Sequence, residues 1–134
     1  MNNVMLKSST MVTATDYERL SDLVEVTRLS MPELSSYLER ELERAKIVPQ
    51  ADPARVQMGS SVRFHDHGSD KILDIRLVYP ADASMAKGWL SVLTPVGSAL
   101  LGRQAGSTAL CRNLAGQVRP LTIMFVQPPD GAVQ

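Results

Sequence analysis

Pro95, Gly102 and Gly106 assign three different backbone roles at set points within Trp89–Gly106, Pro95 by fixing φ and the glycines by allowing turns that other residues resist. Ahead of them Trp89, Leu90 and Val92 form a short run of good strand formers. Thr94 then offers a side-chain oxygen as a helix N-cap. Pro95 suits the first helical position, where its missing N–H has no intrahelical partner to lose. Val96, Ala99 and Leu100 give that helix one apolar face, Gly102 stops it, and Gly106 supplies a turn before the next strand-like run. A strand, a capped short helix and a tight turn make one corner of an α+β domain.

The rest of the chain supplies the partners for that corner. At 134 residues and 44% apolar, it has enough apolar material for one or two small units. The 14 basic and 14 acidic residues balance, which argues against a dedicated duplex nucleic-acid binder. A single cysteine, Cys111, rules out an intrachain disulfide and fits a reducing cytosol; its place beside Leu110 in an alternating run predicts a core residue. No apolar run approaches the roughly 20 residues of a membrane span. Met1–Met11, with Lys7 its only charge, lacks the apolar stretch of a secretory signal. The expected location is the cytoplasm.

Residues 1–14 are expected to be a flexible N-terminus, with Met11–Thr13 a short extended lead-in. Thr15-Asp16-Tyr17-Glu18 reads as a capping box opening a first helix, with Tyr17, Leu20, Leu23 and Val24 at helical spacing. Ser30-Met31-Pro32-Glu33 repeats the device for a second helix, whose stripe is Leu34, Tyr37, Leu38, Leu42 and Ala45. Two amphipathic helices so closely joined predict a short antiparallel αα-hairpin, a coiled coil over 15–48. Pro49 and Pro53 break the pattern and mark 49–55 as a linker. A β-rich domain is then expected over 56–127. Its strands are placed at Val56–Phe64 (Gly59 a bulge), Lys71–Tyr79, Trp89 onward, Thr108–Arg112 and Val118–Val126, with turns at 65–70 and 113–116. Residues 128–134 are expected to form a disordered tail.

Ser91-Val92-x-Thr94-Pro95-Val96-Gly97-x-Ala99-Leu100-Leu101-Gly102-x-x-x-Gly106 resembles the C-terminal signature of the bacterial Gre transcript-cleavage factors. Three further runs match in order: Glu41-Leu42-Glu43-Arg44-Ala45, Met58-Gly59-Ser60-Ser61-Val62-Arg63-Phe64 and Leu77-Val78-Tyr79-Pro80-Ala81. Together they look like the Gre-related family of regulators of nucleoside diphosphate kinase, Rnk. The resemblance implies an antiparallel β-sheet domain with one short helix, similar to the FK506-binding proteins, behind the hairpin. It also implies a monomer that binds RNA polymerase core near the secondary channel, with no cofactor, no sequence-specific nucleic-acid contact and no membrane.

Two candidate sites follow from that resemblance. The polymerase-gripping loop of Gre proteins maps onto Leu93, Thr94, Pro95, Val96 and Gly97. The hairpin tip, Arg28, Leu29, Ser30, Met31 and Glu33, would face the channel. Gre factors are similar in layout but carry an acidic pair there that helps hold a metal ion for RNA hydrolysis, chemistry that needs adjacent hard oxygen ligands on a long rod. Here Glu33 is the tip's sole carboxylate and reads as a helix-capping residue. The hairpin carries 8 acids and 5 bases from Asp16 to Lys46, which would suit a basic channel mouth.

The expected function is therefore polymerase occupancy in competition with Gre-type factors, without catalysis. The alternatives are a Gre-type cleavage factor, or a peptide-binding or prolyl isomerase module, though an isomerase pocket needs clustered aromatics and this domain has only Phe64, Tyr79, Trp89 and Phe125. His65-x-His67 beside Asp66 and Asp70 fits a solvated turn better than a zinc site, since no third ligand is specified. No phosphate-binding loop is present, because Gly97 and Gly102 lack the required Lys-Ser/Thr.

Overall fold

Met11–Thr13, expected as a short extended lead-in at the end of a flexible segment, is a strand, β1. The computed structural model describes residues 10–129, and the expectations for 1–9 and 130–134 lie outside the described residues. The Thr13 hydroxyl accepts the Asp16 N–H at 3.2 Å, and helix α1 spans Ala14–Thr27. The cap thus sits two residues before the expected Thr15. Its cause is non-local: β1 pairs in parallel with β2, Lys46–Val48, and the helix begins where that strand ends.

Helix α2 spans Pro32–Arg44 with Pro32 in its first turn. The expected Ser30 cap does not form. Met31 holds that position without a side-chain bond, because the Met31 N–H is drawn back to the Thr27 carbonyl at 2.8 Å. Leu20 and Val24 of α1 and Leu38 and Leu42 of α2 are buried. Tyr17 early in α1 shares a crevice with Leu42 and Glu43 late in α2, while Arg28 just after α1 bonds Glu39, so the helices run in opposite directions. The β1–β2 pairing closes the open end of this hairpin.

Five strands form one curled sheet in the order β5-β4-β3-β7-β6. These are β3 Ser61–Asp66, β4 Lys71–Val78, β5 Trp89–Ser91, β6 Thr108–Arg112 and β7 Val118–Gln127. The expectation of a purely antiparallel sheet is corrected at one edge. The Pro80–Gly88 connection carries the chain back along β4, so β5 runs parallel to it, with Arg76 opposite Trp89.

Val56 is not in β3. Its N–H bonds the Arg103 carbonyl at 2.9 Å and its carbonyl takes the Gly102 N–H at 2.8 Å. Gly59, expected as a bulge, has φ +90 in the turn that the Ser60 hydroxyl closes on the Gln57 N–H at 2.8 Å. The sheet's register shift lies instead between Arg63 and Phe64 against β7. His65 and Asp66, expected in a turn, extend β3.

Alternation along the strands divides the sheet into two faces. Val62, Phe64, Leu77, Ala109, Cys111, Leu121, Ile123 and Val126 point inward. They close over helix α3, Pro95–Leu100, and its buried Ala99 and Leu100. Arg63, Asp74, Arg76, Trp89 and Phe125 share the opposite face.

Gly102 combines a left-handed backbone with close packing. With φ +73, a Cβ there would stand 2.7 Å from Thr10 Cγ2 and 2.8 Å from the Met11 nitrogen. Gly102→Ala is expected to cost more than about 2 kcal/mol, from the left-handed backbone and the clash together, checked by urea denaturation. Cys111 is buried, and that burial pushes its thiol above the usual range. Alkylation of Cys111 is accordingly expected only as the protein unfolds, with labelling tracking the denaturation curve.

Candidate functional site

The start of α3 is assembled by local hydrogen bonds. Thr94 Oγ1 donates to the Ser91 carbonyl at 2.7 Å and accepts the Gly97 N–H at 3.0 Å, as the Thr-Pro reading predicts. Ser98 Oγ donates to the Val92 carbonyl at 2.7 Å. Gly97 lies against Ser91 and Val92 with no room for a Cβ. The Ser91 hydroxyl accepts the Leu93 N–H at 3.0 Å, and Leu93, 2% exposed, turns into the core.

The five candidate residues therefore divide. Leu93 is corrected from a contact residue to a core residue, and Gly97 serves packing. Thr94, Pro95 and Val96 are half-buried and reach the surface. Beside Pro95, a cleft of about 290 Å³ separates α2 from α3 and β6, with Tyr37, Arg40, Arg44 and Arg112 on its walls.

The tip is built differently. Arg28 bridges Glu25 at 2.9 Å and Glu39 at 3.3 Å, and those two carboxylates raise its guanidinium pKa further. The nearest acids beyond Glu33 are thus engaged with a cation, and Glu33 lies in the first turn of α2. Beside the exposed Ser30 and Glu33 project apolar side chains: Leu29 is 95% exposed, Val26 74% and Met31 37%. Sequence reasoning searched this turn for carboxylates and missed Val26. The available signal was that Val26 and Leu29 fall off the Leu20–Val24 stripe.

One ion pair ties the arm to the sheet domain. Arg103, just past α3, reaches Glu41 of α2 at 3.4 Å, with side chains 7% and 12% exposed. Arg103 also donates to the Ala99 carbonyl at 3.2 Å, and Thr10 Oγ1 donates to Glu41 at 3.0 Å. Burial pulls the Arg103 guanidinium below its usual range, and the Glu41 charge opposes that pull. Glu41→Ala, which strips the buried cation of this carboxylate, is expected to cost about 2–4 kcal/mol. Arg103→Met removes the charge itself and is expected to cost less; urea denaturation of both variants compares them.

Of the remaining candidates, the His65 and His67 rings lie 4.1 Å apart but bond separate partners. His65 Nε2 bonds Asp70 at 2.8 Å and His67 Nε2 bonds Thr122 at 2.8 Å. Among the described residues no group of three or more His, Cys, Asp or Glu is placed to hold a metal. Phe64 is core, Tyr79 lies under the Arg19 guanidinium, and Trp89 and Phe125 are on the outer face, so the four aromatics line no common pocket. No helix among the described residues is long and apolar enough to cross a membrane.

Comparison with known proteins now gives this geometry its relatives. Residues 50–128 match the family described as transcription elongation factor, GreA/GreB, C-term, and residues 10–48 match the Rnk N-terminus. The chain is 32% identical over 106 residues to the regulator of nucleoside diphosphate kinase of Escherichia coli (strain K12), covering 78% of each. It is 35% identical over 71 residues to the transcription elongation factor GreA of Clostridium novyi (strain NT), covering 52% of this chain and 45% of that one. A solved prokaryotic transcription elongation factor GreA/GreB from Nitrosomonas europaea superposes with a TM-score of 0.68 at 37% identity, covering 91% of this chain and 100% of that one. A helical arm of the Rnk type, locked through Glu41–Arg103 to a GreA/GreB C-terminal domain, places the chain in the family of regulators of nucleoside diphosphate kinase, relatives of the GreA/GreB elongation factors.

Proposed function

We propose that this chain is a non-catalytic regulator that binds RNA polymerase core near the secondary channel and competes there with Gre-type factors. The observation that carries the reading is the pairing of two surfaces. Thr94, Pro95 and Val96 keep the helix start that resembles the Gre polymerase-gripping loop, while the tip lacks the carboxylates that cleavage would need. The cleft beside Pro95 enlarges that first surface.

Reach supports the same distinction. The arm's helices have 14 and 13 residues, so each extends about 20 Å at ~1.5 Å per residue. Such an arm occupies a channel mouth. The sheet closed over one short helix is an FK506-binding-protein-like arrangement and the arm a minimal coiled coil, in a protein acting as a cytoplasmic monomer. In this reading the interior between sheet and α3 is filled by side chains, leaving an isomerase no pocket. The link to nucleoside diphosphate kinase would then run through transcription.

Val96→Asp introduces a charge into the α3 surface, and Pro95→Ala removes the rigid first helical residue. Val96→Asp is expected to weaken binding to core RNA polymerase at least tenfold, and Pro95→Ala severalfold, with circular dichroism unchanged. Wild type is expected to be displaced by a titrated Gre factor and to leave backtracked RNA uncut. Binding indifferent to the Gre factor would move the site elsewhere.

A further inference from the structure

The outer face of the sheet carries a feature that polymerase binding through α3 leaves unused. Across it runs an open groove of about 700 Å³, on the face opposite α3. One wall is Trp89, with Lys87 Nζ 4.6 Å and the Arg76 guanidinium 5.5 Å from its ring centroid. The other wall is Phe125, 57% exposed, with Met124 beside it. Between them Arg63 and Asp74 satisfy each other, Nε to Oδ1 at 2.8 Å and Nη2 to Oδ2 at 3.2 Å, so the floor is neutral and polar.

Each wall suits a different chemistry. An exposed aromatic beside a methionine, on a sheet face that no helix among the described residues covers, is an adaptable apolar contact. The Lys87 ammonium stands over the indole at the groove's other side, where a carboxylate can meet it without displacing a protein acid.

We infer that this groove docks an acidic protein segment, its carboxylates on the Lys87–Trp89 wall and a bulky apolar side chain on Phe125 and Met124. The walls belong to β5 and β7, separated by β4 and β3. Three interstrand steps of ~4.8 Å put them roughly 14 Å apart, which an extended chain spans in about four residues. A single nucleic-acid strand fits less well. Its phosphates would need a continuous basic track, and the next row across the face is Ile72, His65, Thr122 and Thr108. The bases would also find the Trp89 ring already flanked by cations.

Trp89 is the only tryptophan in the chain, so its emission reports on the groove directly. The test titrates the full chain with the blocked peptide Glu-Glu-Ser-Thr-Ser-Phe-Leu, with its Gln-Gln counterpart, and with a twelve-residue oligothymidylate. The acidic peptide is expected to change the Trp89 emission saturably. Its affinity should fall at least tenfold in the Gln-Gln peptide and in the Lys87→Glu and Phe125→Ser variants, read by peptide fluorescence anisotropy. Both substituted side chains are exposed, and circular dichroism verifies that the variants fold. Absence of acidic-peptide binding, equal binding of the Gln-Gln peptide, binding unchanged in both variants, or tighter binding of the oligothymidylate would each overturn the inference. None of these outcomes depends on whether the chain binds polymerase.

Discussion

The Glu41–Arg103 ion pair is the interaction on which the two halves of this molecule depend. It is buried, its acid comes from the arm and its base from the sheet domain, and Thr10 bonds the same carboxylate from a third direction. Isolated buried ion pairs contribute little net stability because desolvation offsets their attraction. Their value lies in direction: Glu41 is reached by Arg103, Arg44 and Thr10, and Arg103 also donates to the Ala99 carbonyl, so the pair fits one arrangement of the two halves. The Met11 N–H bonded to the Gly102 carbonyl and the Lys46 N–H bonded to the Thr10 carbonyl extend that specificity along the seam. Polar bonds at the arm's base thus add direction to an apolar core that runs on from Leu20, Val24, Leu38 and Leu42 of the arm into Val56, Leu100 and Leu101 of the sheet domain.

Much of this architecture could be read from the residues, and the misreadings share a cause. Thr94, Pro95 and Gly102 act through their immediate neighbours, and the helix they bound is where their chemistry places it. Thr15 was a sound local cap that lost to Thr13, because the helix start is fixed by β1 meeting β2 from the far end of the hairpin. Gly59 reads equally well as a bulge or a turn until Val56 is seen bonding Gly102 and Arg103 instead of the sheet. The parallel direction of β5 likewise follows from the route of its connection and leaves no mark in Trp89-Leu90-Ser91.

The candidate site followed the same pattern. Thr94–Val96 emerged at the surface where helix-start chemistry puts them, whereas Leu93 was read by position and belonged to the core. The tip was read as lacking an acidic pair, and it exposes Leu29 and Val26 beside an arginine bonded to Glu25 and Glu39. A search for absent carboxylates has no means of noticing Val26. The Glu41–Arg103 pair, 62 residues apart in the chain, was invisible to any local reading.

The strand pair at the foot of the hairpin has one more consequence. β1 and β2 fasten both ends of the arm at its base, and the sheet domain also holds it partway along, where the Tyr37 hydroxyl donates to the Asn113 carbonyl and Arg19 lies over the Tyr79 ring. Beyond those contacts whole turns could be added to both helices together, about seven residues in each per ~10.5 Å, and the apolar stripe would return to nearly the same azimuth. Arm length is then an independent dimension of this architecture. A lineage could change how deep the arm probes while leaving the docking surface untouched.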